Sequence, residues 1–177
     1  MIQSGKLRVW KHTVRYFWVA TIVSAMAISC ANPKTAAEYR KVAESSMFGK
    51  VDKFIATQDY GKVVQILKSK SAECLNYKIE RSGGGQVSST MTVTAKFSGG
   101  AKQSELVVNY EDVVHNITGD TSSGKNFLLV ADIKPESKGK TNIGIYRTVA
   151  AGMAEALKTW ANGDVRGCPD PARTLER

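Results

Sequence analysis

The sequence predicts an α+β fold: an antiparallel sheet of about five or six strands packed against two helices, after a short N-terminal helix. Several segments alternate apolar and polar residues with a period of two, which is typical of half-buried strands. Gly-rich turns, rather than helices, separate most of these segments. Parallel strands need long crossover connections, so we expect the strands to run antiparallel.

Residues 1–29 are predicted to form a secretory signal peptide. This stretch holds four cations and no carboxylate, and an uncharged run over residues 16–31 follows the cations. The run is shorter and more interrupted than the roughly 20 apolar residues of a membrane span. A basic start, a short apolar region and small residues at its end are the marks of an export signal.

The segment Ala27-Ile28-Ser29-Cys30 resembles the lipobox of bacterial lipoproteins. In that family a small residue precedes a Cys that is acylated, with palmitate among its acyl chains, and that becomes the new N-terminus. The segment departs from the family at Ala27, where Leu is usual. The resemblance implies that Cys30 anchors the chain in a bacterial membrane. Ala31 stands where retention signals place Asp, which implies the outer membrane, with the protein facing the periplasm.

Two alternatives to lipidation remain open at this stage. Ordinary cleavage after Ala27 would leave Cys30 as a free thiol near the new N-terminus. The apolar run could also stay uncleaved as a signal anchor.

A short helix is predicted over residues 36–45, a few residues after Cys30. Thr35 and Glu38 have the spacing of a capping box, in which each side chain satisfies a backbone amide at the helix start. The helix either packs on the domain or stays mobile near the bilayer. One side of it carries Tyr39, Val42 and Ala43.

A strand over residues 47–56 and a helix over residues 59–74 come next. The strand is rich in Val, Phe and Ile, which favour pleated structure. The helix places Val63, Ile66 and Leu67 at the 3.6-residue spacing of an amphipathic helix. We expect this apolar stripe to pack on one face of the sheet.

Five further strands are predicted along the middle of the chain. They are separated by Gly-rich or polar stretches, of which residues 116–125 and 135–141 are predicted as loops. In the clearest strand the Thr and Lys side chains alternate outward and Met91, Val93, Ala95 and Phe97 point inward. The five strands cover residues 77–81, 90–97, 105–114, 127–134 and 142–147.

A final helix over residues 149–161 carries an apolar stripe and ends at Asn162-Gly163. The element order resembles that of helix-grip domains, as in lipid-transfer domains and some envelope-assembly lipoproteins, and a cystatin-like sheet is the alternative. The predicted organisation is a signal peptide (1–29), a lipidated Cys with tether and short helix (30–46), a single α+β domain (47–168) and a tail (169–177).

The chain has three Cys residues, an odd number for an exported protein. If Cys30 carries lipid, Cys74 and Cys168 remain, and an even pair in an oxidising compartment favours a disulfide. The alternative is two buried free thiols. The chain has no Cys-x-x-Cys and only two His residues, so neither a metal site nor a cofactor is predicted.

Composition excludes other classes. At 177 residues, with 42% hydrophobic residues and four Pro, the chain is neither disordered nor collagen-like. The net charge is +9, but residues 1–29 supply four cations, so residues 30–177 carry 21 − 16 = +5. These cations alternate with carboxylates instead of forming a basic stripe, and no nucleic-acid partner is predicted.

No catalytic set is predicted. The stretch 119–126 resembles a phosphate-binding loop, but Asn126 follows the Lys where Ser or Thr must hold magnesium, and a strand follows where a helix is needed. His115 has Glu111 and Asp112 nearby but no nucleophile. We therefore expect a non-enzymatic, lipid-anchored protein that binds another envelope protein. The alternative is binding or transfer of an apolar ligand between the sheet and helix 149–161, and an enzyme is third.

Overall fold

The computed structural model describes residues 32–83, 87–116, 121–173 and 175, and Pro33–Arg177 form one compact unit. No helix in these described ranges is long and apolar enough to cross a membrane. The elements are α1 (Ala36–Ser45), β1 (Lys50–Ala56), α2 (Tyr60–Cys74), β2 (Tyr77–Gly83), β3 (Val87–Gly99), β4 (Ser104–Asn116), β5 (Thr121–Ser137), β6 (Lys140–Arg147) and α3 (Ala151–Ala161), followed by a 3₁₀ turn (Pro171–Arg173).

The six strands form one sheet in the order β1-β6-β5-β4-β3-β2, and every neighbouring pair is antiparallel. The α+β class and the antiparallel sheet are therefore confirmed. β1 and β2 are the two edge strands, and α2 carries the chain from one edge to the other. The remaining strands follow one another through short connections, as Gly-rich turns between alternating segments predict.

The hydrophobic core lies between one face of the sheet and the two longer helices, α2 and α3. The helical spacing seen in the sequence brings the apolar stripes of both helices onto this face. Strand side chains meet them from the inward positions of the alternation, where Met91, Val93, Leu106 and Val108 are all buried. The largest helix side chains in this core are Val63, Leu67, Met153, Leu157 and Trp160.

α1 packs on the opposite face of the sheet, which we call the outer face. Thr35 caps this helix by accepting a hydrogen bond from the backbone N–H of Glu38 at 3.2 Å. Tyr39 and Ala43, predicted to share one side of the helix, are both buried. Of the two alternatives left open by the sequence, packing on the domain is the one observed.

The strands are longer than predicted around residues 116–125. β4 continues to Asn116 and β5 begins at Thr121, with His115 opposite Thr121 in the register. The side chains of residues 121–125 are exposed, so this part of β5 carries no apolar alternation by which it could be recognised. Backbone pairing with β4 alone extends the strand. Residues 117–120 lie outside the described residues.

The other predicted boundaries shift by a few residues. The loop predicted over residues 135–141 shrinks to a tight turn, in which Gly139 adopts a positive φ of 74°. α3 begins at Ala151 instead of residue 149, because Ala150 lies in the left-handed region with φ 64°. The end of α3 follows the prediction, with Gly163 at φ 95° directly after Asn162.

Candidate functional site

The predicted disulfide between Cys74 and Cys168 is present, with the two Cα atoms 5.2 Å apart. Cys74 is the last residue of α2, and Cys168 lies in the segment that follows α3. The bond therefore fastens the end of one core helix to the chain leaving the other. Cys30 lies outside the described residues, so its lipidation stays a prediction.

One group of possible metal ligands occurs in the described part of the chain. It consists of Glu73, Cys74 and Cys168, whose ligand atoms lie within 4.8 Å of one another. Both sulfur atoms are already joined in the disulfide. Only the Glu73 carboxylate could coordinate an ion, and one carboxylate does not make a metal site.

His115 stands near the exposed end of β4. Its Nδ1 lies 3.5 Å from the Oγ1 of Thr121, a loose contact between neighbouring strands. Glu111 and Asp112 are successive residues of β4, so their side chains point to opposite faces of the sheet. The geometry of general base, nucleophile and orienting group that a catalytic triad needs is not formed by these residues.

The residue that anchors α1 to the sheet is Tyr39. Its hydroxyl donates a hydrogen bond to the carbonyl of Leu128 at 2.8 Å and accepts one from the backbone N–H of Thr148 at 3.1 Å. Its ring stacks on Phe127 with the centroids 5.3 Å apart. Phe127 reaches the outer face because the register of β5 against β4 shifts at the step between Leu129 and Phe127.

Arg40 makes the second attachment of α1. Its Nε and Nη2 donate to the two carboxylate oxygens of Asp132 at 3.1 and 2.5 Å, and Nη2 also contacts Glu105. The guanidinium carbon lies 5.8 Å from the ring centroid of Tyr146, within cation–π range. Burial lowers the pKa of Arg40, but the hydrogen bonds to Asp132 and Glu105 outweigh burial and raise it above its ordinary value.

Four residues beside α1 form a compact exposed set on the outer face. Phe54 and Ala56 pack toward the core, so Lys53 and Ile55 point outward from β1. Ile55 pairs with Asn142, and Asn142 pairs with Lys134 of β5. Lys140 lies two residues before Asn142 on β6. We call Lys53, Ile55, Lys134 and Lys140 the basic patch.

The basic patch is small and accessible. Two strand spacings separate Ile55 from Lys134, about 10 Å, and two residues along β1 separate it from Lys53, about 7 Å. Ile55 is 50% exposed, and the three lysines are exposed as well. None of the three lysines has an ion-pair partner in the parts of the chain that the structure describes.

No known protein family matches this chain, and no curated protein does either. Its function must therefore be inferred from its own residues.

The feature that sequence reasoning missed is the basic patch, because its members come from three strands whose pairing brings them together. The sequence signal was the outward position of Lys53 and Ile55 in a strand whose Phe54 and Ala56 face the core.

The loop between α1 and β1 adds two more exposed apolar residues. Met47 is 91% exposed and Phe48 is 54% exposed. This loop leaves α1 on the outer face and enters β1, the same strand that carries Ile55. The loop and Ile55 lie at opposite ends of β1, about 17 Å or more apart. Met47 and Phe48, which are adjacent, therefore form an exposed apolar pair separate from the basic patch.

Proposed function

We propose that this protein is a lipid-anchored component of a bacterial cell envelope that binds another protein and catalyses no reaction. The anchor is Cys30 in the outer membrane, and the domain faces the periplasm. The observation that carries the proposal is the firm attachment of α1, which begins only six residues after Cys30. Tyr39 and Arg40 fix this helix to the sheet, so the folded domain begins almost at the predicted lipid.

The connection between the lipid and the domain is therefore short. Even fully extended, the six residues from Cys30 to Ala36 span at most about 21 Å. A lipid on Cys30 would hold the domain against the membrane surface instead of letting it range through the periplasm. This placement suits a component that meets its partner at the membrane.

The packing of the interior supports a binding protein over a carrier of apolar ligands. The finer fold that we propose is the helix-grip fold. A ligand carrier with this fold would hold its ligand between the sheet and the C-terminal helix. In α3 the side chains of Met153, Leu157 and Trp160 are each only 1% exposed and belong to one core cluster with the sheet. Side chains of the protein itself occupy this space.

The edge strand β2 is the surface that we propose for the protein partner. It pairs with β3 on one side only, and an edge strand offers unpaired N–H and C=O groups to an added strand. Of its exposed side chains, Lys78 and Glu80 are ion-paired to each other at 2.9 Å, and Arg81 adds one positive charge. β2 also lies at the opposite edge of the sheet from the basic patch.

Site-specific photo-crosslinking in the bacterial envelope tests this proposal. A photoreactive residue replaces Glu80 on β2, and the matched control replaces Gln65, which is exposed on α2. We expect a discrete protein adduct from position 80 that position 65 does not give. Lipids are extracted from the same purified sample. A stoichiometric bound lipid with no protein adduct would support the ligand carrier and refute the proposal.

A further inference from the structure

The outer face combines exposed apolar residues with unpaired cations on the side of the sheet where α1 lies. We propose that the basic patch, together with the Met47–Phe48 loop at the other end of β1, docks on the surface of an anionic lipid bilayer. This proposal rests on the lipid anchor at Cys30 and adds an orientation to it. The domain would lie with its outer face toward the membrane and its core helices away from it.

The charge of the patch favours anionic headgroups. Lys53, Lys134 and Lys140 carry three positive charges within about 10–15 Å of one another, given the strand spacing. Lysines near a membrane surface are attracted by the negative potential of anionic lipids. Two acids lie at the rim: Glu136, whose carboxylate accepts a hydrogen bond from Asn142 at 3.1 Å, and exposed Asp59, which accepts one from the N–H of Gly139 at 2.8 Å. The three lysines outnumber these two carboxylates.

The other acids of the outer face are largely offset by cations. Asp132 and Glu105 both bind Arg40, which leaves one negative charge without a matching cation in the middle of the face, where α1 partly covers it. Along α1, exposed Lys34 and Lys41 balance exposed Glu38 and Glu44. The largest excess of positive charge on this face therefore lies at the basic patch.

Apolar side chains give the second part of the interaction. Ile55 lies among the lysines, and Met47 and Phe48 lie in the loop that leads into the same strand. Exposed apolar residues beside Lys side chains are the composition of surfaces that sit in the headgroup region of a bilayer. A basic patch commonly acts as a second membrane signal beside covalently attached acyl chains.

The position of the tether fits the same orientation. α1 lies on the outer face, and the chain toward Cys30 continues from its N-terminal end. With at most about 21 Å of chain between Ala36 and Cys30, a lipidated Cys30 would draw this face toward the bilayer. A partner protein could still reach β2, which is the other edge of the sheet.

Fluorescence quenching in vesicles tests the docking. The mature lipidated protein is purified from the bacterial envelope with a fluorescent residue in place of Ile55. It is reconstituted into vesicles of phosphatidylglycerol and phosphatidylcholine that contain spin-labelled lipids. The matched control carries the fluorescent residue at Gln65 on α2. We expect strong quenching at position 55 and little at position 65, and weaker quenching at position 55 in vesicles of phosphatidylcholine alone.

A charge-reversal pair identifies the cause of the quenching. The variant Lys53→Glu/Lys134→Glu/Lys140→Glu is expected to lose the quenching at position 55. The control Lys62→Glu/Lys68→Glu/Lys102→Glu makes the same change of net charge at exposed sites outside the patch and is expected to keep it. Equal quenching at positions 55 and 65, or quenching that survives the first variant, would overturn the proposal.

Flotation of the same vesicles separates failure of the docking from failure of the anchor. Protein that floats with the vesicles but is not quenched at position 55 is anchored without docking, and this result would refute the inference alone. Protein that does not float has no anchor, which would refute both proposals. Shielding of position 55 by a bound protein in place of lipid would also overturn the inference.

Discussion

At the scale of single residues, the hydroxyl of Tyr39 joins α1 to two backbone groups of the sheet region. Tyr39→Phe would leave the carbonyl of Leu128 and the N–H of Thr148 without this partner in a buried setting. We expect the free energy of unfolding to fall by about 1–3 kcal/mol, the usual cost of an unsatisfied buried polar group. Urea unfolding measures the change.

Tyr146→Phe is the matched control for this substitution. Tyr146 also lies on the outer face under α1, but its contact with Arg40 is made by the ring, which Phe retains. We expect a change within about 0.5 kcal/mol, as is usual for substitutions that remove no buried interaction. Equal losses in both variants would show that the Tyr39 hydroxyl does not hold the helix.

The same hydroxyl makes stability depend on pH in the alkaline range. Burial raises the pKa of Tyr39 above its ordinary value of 10.0, although hydrogen bonds with Thr148 act in the opposite direction. At pH values between the pKa of the unfolded state and the higher pKa of the folded state, only the unfolded state releases this proton. The contribution of the hydroxyl to the free energy of unfolding is therefore complete below pH 10 and declines above it. The stability advantage of wild type over Tyr39→Phe should therefore shrink above about pH 10. An advantage that is constant with pH would contradict this account.

At the scale of elements, α1 and β1 approach each other at Gly49. A Cβ atom on Gly49 would lie 2.1 Å from the carbonyl oxygen of Ala43, and backbone cannot move aside as a flexible side chain can. We expect Gly49→Ala to lower the free energy of unfolding by about 1–3 kcal/mol through overpacking. Gly61→Ala on α2 meets nothing within 4 Å and should be neutral or slightly stabilising. Thermal unfolding of both variants compares them directly.

The disulfide links two elements that are 94 residues apart in the chain. Closing so long a loop restricts the unfolded state, and we expect the double variant Cys74→Ser/Cys168→Ser to lose about 4 kcal/mol of stability in urea. Thiol alkylation of the denatured, unreduced wild-type protein should find neither Cys74 nor Cys168 reactive. Reaction at both positions would show that the pair is reduced in this protein.

Most elements could be predicted from the sequence because their apolar periodicity is clear. Strand β3 alternates along its length, and α2 has its apolar residues at helical spacing. The first part of β5 could not be predicted in this way, because residues 121–125 are polar and exposed on both faces. The late start of α3 could not be predicted either. It follows from the left-handed backbone of Ala150, and left-handed positions usually hold Gly, so an Ala gives no sequence signal.

At the scale of the whole molecule, the disulfide pair could be predicted from three cysteines, whereas the arrangement of the outer face could not. Arg40 meets Asp132 across 92 residues and Glu105 across 65 residues of chain. Such contacts depend on strand order and register, which alternation within single segments does not fix. The basic patch needs the same information, because Ile55 and Lys134 are neighbours only through Asn142 of β6.

We propose that Cys30 anchors the whole domain at a membrane, and acyl labelling tests this proposal most directly. The chain is produced in a bacterial host that is fed a labelled fatty acid, as wild type, as Cys30→Ala and as the control Cys74→Ser/Cys168→Ser. Since only a Cys at the lipobox position can accept the lipid, we predict that wild type and the control carry the label and Cys30→Ala does not. Labelling of Cys30→Ala equal to that of wild type, or an unlabelled wild-type protein, would contradict the account.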